Sequence, residues 1–306
     1  MIQTLLTLAV VAIILAQLYM YWHTSRKEGF IINEAVAKSK MHVSGIDTFS
    51  LLDGSGGLDT GIIYSPDDTS TNPSAYCDDE DDPRDLPWIA SWSAADRFAR
   101  QGHNCAIKYT KEGPDGTTII TTSKSCESGM PHTRAGNRII IPDSIPDPLQ
   151  AEIIAHELVH IYQRRYPDAW IKFYKNNWSF DFPASPPVGM PASVKEARRS
   201  NPDTFTLPWP RWRNRYWPVP VYTDPQFPSL RGAITVWWDA EDSKVMTDPP
   251  GGWTAFFGRP TQDEHPHEIA AVLIVAVDTA TEAGRRLMSW WRSEGAIIKA
   301  PRNSIS

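Results

Sequence analysis

The chain has 306 residues, a net charge of −6 and 41% hydrophobic residues, enough for one large domain or two small ones with an ample core. No basic stripe accompanies that charge, which removes nucleic acid from the expected partners. The 13 tryptophans and 26 prolines are unusual, and many fall between residues 183 and 260, where they predict long, irregular, aromatic-pinned loops rather than helices.

Residues 2–22 are apolar apart from Gln3, Thr4, Thr7 and Gln17, and the run ends in Tyr19, Tyr21 and Trp22. Its length and aromatic edge predict a single transmembrane helix, an anchor over residues 1–24. A cleaved signal peptide is the alternative, but the basic leading segment is missing and no clean small-x-small site comes directly after it. Arg26 and Lys27 flank the far end, and by positive-inside logic they favour the cytoplasmic side for the rest of the chain.

Residues 25–85 are polar and glycine-rich and read as a stalk with an irregular amino-terminal region. The acidic run at 78–82 lacks the alternation and glycine of a calcium loop and reads as a solvated turn. A helix is expected over 87–101 with Ser91 or Ser93 as cap. Cys105 and Cys126 bracket a hairpin that turns at Gly113-Pro114-Asp115-Gly116, which sets them nearly opposite one another. A disulfide and a pair of buried thiols both fit, with Cys77 left over and no cysteine spacing of a zinc site. Residues 137–142 form a short β-rich run ending in Pro142.

Next comes His156-Glu157-Leu158-Val159-His160. Asp147 and Pro148 look like the cap and first position of a helix, Gln150 is placed for a capping box, and Pro167 marks the end. Leu149, Ile153, Leu158 and Ile161 supply an apolar stripe. Histidines four apart lie on one helical face, so both imidazoles reach one ion, while Glu157 points aside toward water on that ion. A catalytic zinc takes three protein ligands and leaves one position open. A third histidine six residues after His160 is excluded, because that position is Tyr166, and Gln163 stands where the extended motif has glycine. The remaining candidate is Glu268, at the start of the apolar run 269–277; a carboxylate there needs a partner, either the metal or the helix dipole. Asp203, after the Asn201-Pro202 turn, is an alternative third ligand or simply a turn residue.

His156, Glu157, His160 and Glu268 together resemble the gluzincin-type zinc metallopeptidases, a likeness spanning roughly residues 100–295. Val272 stands where gluzincins often carry an aspartate, and the distance from His160 to Glu268 implies an insertion. The resemblance implies an α+β, zincin-like domain over residues 86–295. It would hold a small mixed β-sheet, an active-site helix, a second long buried helix and a Trp/Pro-rich irregular insertion. It also implies that 137–142 is the sheet edge along which a peptide substrate pairs; Pro142 suits an edge.

Further expectations are a helix over 168–178, a strand over 232–238, a helix from Pro266 to about Arg292, and a loose tail over 296–306. Asn177-Trp178-Ser179 is a glycosylation sequon, informative only for a domain facing a lumen. The expected function is that of a membrane-anchored metalloendopeptidase: Zn2+ on His156, His160 and Glu268, Glu157 as general base, and His132, Tyr222 or His265 as oxyanion donor. The rivals are a membrane-anchored structural or interaction protein with a vestigial zinc site, and a zinc hydrolase of non-peptide amides or esters.

Overall fold

A computed structural model of the protein describes residues 85–294, apart from residues 102, 104, 225 and 259–261. The apolar run at 2–22, the stalk up to residue 84, Cys77, the acidic run and the tail lie outside the described residues. Among the described residues no helix is long and apolar enough to cross a membrane. They form an α+β fold with two sheets.

Two short helices, α1 (Leu86–Ala90) and α2 (Ala94–Ala99), replace the single helix expected over 87–101. The break has a local cause. Ser93 is extended, its hydroxyl accepts the Asp96 N–H, and Asp96 reaches back to the Ser93 N–H, so a complete capping box starts a new helix.

The first sheet runs in the order β1 (Ile107–Glu112), β2 (Thr118–Thr122), β4 (Arg138–Pro142), β3 (His132–Arg134). The expected hairpin is β1–β2, and β2 then pairs parallel to β4. The β4 strand is therefore interior and β3 is the edge, contrary to the expectation that 137–142 borders the sheet. Pro142 is tolerated because it is the last residue of the strand, where a missing donor costs little. Three successive isoleucines, 139–141, are all buried because both faces of β4 are covered. Ile139 and Ile141 pack with Ile119 on Ile154, Leu158 and Ile161 of the motif helix α3 (Asp147–Arg165), while Ile120 and Ile140 meet Trp88 and the Cys105–Cys126 disulfide on the other face.

The helix α3 begins one residue earlier than expected. Pro146 is its N-cap and Asp147 is already helical; the Asp147 carboxylate caps nothing and instead accepts from the Gln150 amide at 2.9 Å. Ile154, Leu158 and Ile161 follow the i, i+4, i+7 spacing of one face, and His156, His160 and Gln163 lie about half a turn round from them. The sheet thus fixes the roll of the helix, and that roll aims both imidazoles away from the sheet. Tyr166 ends α3, and α4 (Pro167–Phe173) runs on into a π-turn, Tyr174–Trp178.

The Trp/Pro-rich stretch is more ordered than its composition suggests. It holds a short helix α5 (Ala192–Glu196) and most of a second, antiparallel sheet in the order β5 (Phe180–Asp181), β6 (Arg211–Trp212), β7 (Tyr216–Tyr222), β8 (Ala233–Asp239), β9 (Lys244–Met246). Two prolines sit inside β7 without breaking it. The Tyr222 N–H points away from β8 to the Ala197 carbonyl, and by strand periodicity the Pro220 and Pro218 nitrogens face the same way, where β8 needs no donor.

After α6 (Trp253–Phe257), the expected helix from 266 to 292 divides into α7 (Pro266–Val275) and α8 (Glu282–Ser293). Val277 adopts a left-handed conformation, Asp278 N–H closes back on Leu273, and Thr281 caps α8 through the Gly284 N–H. Gly284 is required there, since a Cβ would lie 2.4 Å from the Asp278 carbonyl oxygen. The main core gathers Trp170, Phe173, Tyr174, Trp178, Trp212, Trp237, Trp253 and Phe257 around Ile269, Ala271 and Leu273 of α7 and Leu287 of α8. The tryptophans are thus the core that seats α7 beside α3.

Cys105 and Cys126 are joined across a separation of 21 residues. Thiol titration of the unfolded, unreduced chain should find one free thiol, Cys77, and three would contradict the bond. Reduction should lower unfolding stability by about 3 kcal/mol in a urea titration.

Candidate metal centre

Three chain segments build the site. The α3 helix brings His156, Glu157 and His160; the first turn of α7 brings Glu268; and the loop after α5 brings Asn201 and Asp203. His156 Nε2 and His160 Nε2 are 3.1 Å apart, and Glu268 Oε2 lies 3.4 Å from each. Four ligands placed tetrahedrally at the usual zinc distances of about 2.0–2.1 Å stand about 3.3 Å from one another. The three donors therefore form nearly the face of a zinc tetrahedron. His160 and Glu268 are buried, while the His156 side chain keeps 19% of its surface exposed, so the triangle meets solvent at His156.

Two of the three, His160 and Glu268, are each held by a further group. His160 Nδ1 pairs with Gln163 Oε1 at 2.8 Å, which keeps the proton on Nδ1 and leaves the Nε2 lone pair for a metal. Glu268 Oε1 accepts from the Asn201 amide at 2.9 Å, leaving Oε2 for the imidazoles. Glu157 is buried beside them, and its Oε2 has no hydrogen-bond partner. An orphaned carboxylate oxygen in the interior is costly, and such groups cluster where chemistry needs them.

The electrostatics favour a cation. Burial pushes Glu157 well above the usual carboxylate range, and the neighbouring Asp203 charge adds to the shift. Burial opposes protonation of His160, but Glu268 and Asp203 override it and carry its pKa up to about 10. Burial would also raise Glu268, but His160 and His156 hold it well below its ordinary value. Without a metal the site is thus a protonated imidazole against a carboxylate, an arrangement a divalent ion can replace.

Asp203 also approaches, grouped with Glu157 and His160 but not with His156. Its Oδ1 accepts the Thr133 N–H at 2.8 Å and the Thr133 hydroxyl, with Arg164 3.6 Å away. Glu268 closes the triangle with both imidazoles, which Asp203 does not.

Two of the three expected oxyanion donors, Tyr222 and His265, have other partners, and His132 faces away. His132 pairs with Ile140 across β3–β4 and so faces the Trp88 side of the sheet, whereas α3 lies on the Ile139 side. Tyr222 donates its hydroxyl to Asp96 at 2.7 Å. His265 is the N-cap of α7, accepting the His267 N–H at Nδ1 while Nε2 meets the Leu207 carbonyl at 3.0 Å. Gln163 and Asn201 were the residues sequence reasoning missed. Gln163 had a signal, since it lies three residues after His160 on the same face; Asn201, 67 residues from Glu268, had none.

No protein-family model, curated protein or solved structure matches this chain. The geometry of the site has to carry its interpretation.

In the metal-free protein His160 binds its proton more tightly folded than unfolded. Its contribution to stability is therefore complete below its ordinary pKa of 6.5 and is lost as pH climbs through about 10. With chelator present, the urea midpoint should fall between those limits, and His160→Gln should flatten the fall. An equal fall in both proteins would overturn the assignment.

Proposed function

We propose that this chain is a membrane-tethered zinc hydrolase of the gluzincin metallopeptidase type. The observation that carries the reading is the near-tetrahedral triangle of His156, His160 and Glu268 beside the buried Glu157, whose Oε2 has no hydrogen-bond partner. Zinc held there would supply Lewis acidity toward a substrate carbonyl and would acidify water. Glu157 takes the proton of the attacking water and returns it to the leaving nitrogen. Gln163 and Asn201 keep the ligand atoms aimed, so no reorganisation is needed when charge develops.

Substrate docking departs from strand addition along β3. Thr133, the middle residue of that edge, is fully buried and its outward N–H is taken by Asp203. The tether is the apolar run at 2–22. The joined Cys105 and Cys126 favour an oxidising compartment for the domain, against the cytoplasmic side suggested by Arg26 and Lys27.

A second reading, a non-catalytic protein with a structural zinc site, draws on how little of the site meets solvent. It leaves Glu157 without a purpose, since a structural site uses no base.

The test is zinc content and hydrolysis of a mixed peptide library by the detergent-purified full chain. One zinc per chain is expected. Glu157→Gln should retain the metal and lose about 10²- to 10⁴-fold in rate, and Glu268→Ala should bind the metal more weakly, through the two imidazoles alone. Stoichiometric zinc with no hydrolysis by the unmutated protein would favour the structural reading, and no zinc at all would remove both.

A further inference from the structure

Asn201 is 8% exposed and uses every polar group of its amide. The Nδ2 group donates to Glu268 Oε1 and to Glu264 Oε1, both at 2.9 Å, and Oδ1 accepts the Asp203 N–H at 2.9 Å. The amide therefore cannot flip: reversing it would set an oxygen against two carboxylates and an NH₂ against an N–H.

The backbone that carries Asn201 is itself gripped. The Ser200 N–H donates to both Asp96 oxygens at 3.1 and 3.0 Å, and Arg100 donates to the Ser200 carbonyl at 2.8 Å. Arg100 in turn is clamped by Glu127 at 2.9 and 3.1 Å and by Asp96 at 2.6 Å, all three side chains being almost wholly buried. On the other side Arg199 meets Glu264 at 3.3 Å. A continuous run of buried polar contacts thus leads from the residue after Cys126 to the carboxylate that completes the site.

From this we infer that Asn201 is a positioning residue. It sets the rotamer of Glu268 and holds Oε2 toward the two imidazoles, while the Asp96–Arg100–Glu127 cluster fixes Asn201 in place. The inference rests on Glu268 being the third metal ligand. Asn201 does the work for Glu268 that Gln163 does for His160, so each of those two ligands is aimed by an amide that does not itself touch the metal.

The test is the zinc affinity of the full chain, measured by competition with a chromogenic chelator, for the unmutated protein, Asn201→Ser, Glu268→Ala and the double variant. A serine hydroxyl can still accept the Asp203 N–H and keep the turn, but it cannot reach both carboxylates. Asn201→Ser should weaken zinc binding about 10- to 100-fold, and the visible spectrum of the cobalt(II) form should shift with it. In the Glu268→Ala background the same change should cost almost nothing more, because its effect passes through Glu268. Unchanged affinity and spectrum in Asn201→Ser would overturn the inference and leave the zinc site standing. An equal loss in both backgrounds would overturn it too, by showing an effect on the fold. If circular dichroism shows Asn201→Ser unfolded, Asn201→Gln, which displaces the amide by one methylene, replaces it with the same expectations. Failure of the unmutated chain to bind zinc would instead remove the reading on which the inference rests.

Discussion

The side chain of Gln163 joins the two halves of the site. Its oxygen pairs with His160 Nδ1, and its nitrogen donates to the His267 carbonyl at 3.0 Å and to the Tyr174 hydroxyl at 3.1 Å. One amide therefore ties α3 to the first turn of α7, one residue before Glu268, and to the aromatic core below. The distance between His160 and Glu268 depends on that tie. It is held in turn by Tyr174, whose ring packs against Trp170, Trp178 and His267. The heavy use of tryptophan thus supports the buried charges: large, rigid rings make a floor that does not yield beneath a charged pair.

Burying so many charges is expensive, and the molecule offsets the cost by leaving few of them alone. Asp203 has Thr133 and Arg164, Glu264 has Arg199 and Asn201, and Arg100 has Asp96 and Glu127. Glu157 Oε2 is the exception within the site. Burial and the Asp203 charge raise the proton affinity of the carboxyl that carries this bare atom.

Local signals in the sequence are legible where a few adjacent residues decide the outcome. Pro148 and Pro167 bound α3 to within a residue or two, the Gly113–Gly116 turn gives the hairpin, and the hairpin brings Cys105 and Cys126 together. The convergence of His156, His160 and Glu268 is legible from helical spacing and from the cost of a lone carboxylate on a buried helix. The hidden features are those set by distant partners. The interior position of β4 depends on β3 pairing beyond it, which no property of residues 138–142 reveals. Pro218 and Pro220 argue against a strand, yet β7 forms because their nitrogens face away from β8. The break between α7 and α8 turns on Val277, a β-branched residue in a left-handed conformation it rarely adopts. Asn201 carries the ordinary signature of a turn, and its second task emerges only once Glu268 is beside it.

The covered edge of β3 has a consequence for selectivity. A ladder of main-chain hydrogen bonds grips any extended peptide with nearly the same strength, because every residue offers the same N–H and carbonyl. Asp203 has taken the outward N–H of Thr133, so that indiscriminate grip is missing at β3. The opposite edge, β1, is fully exposed and carries Lys108, Lys111 and Glu112, charges that discourage strand addition. Neither border of this sheet is built to hold a guest by its backbone. Under the proposed hydrolase reading, a substrate would have to be gripped by its side chains or end groups, and discrimination would start at the first contact.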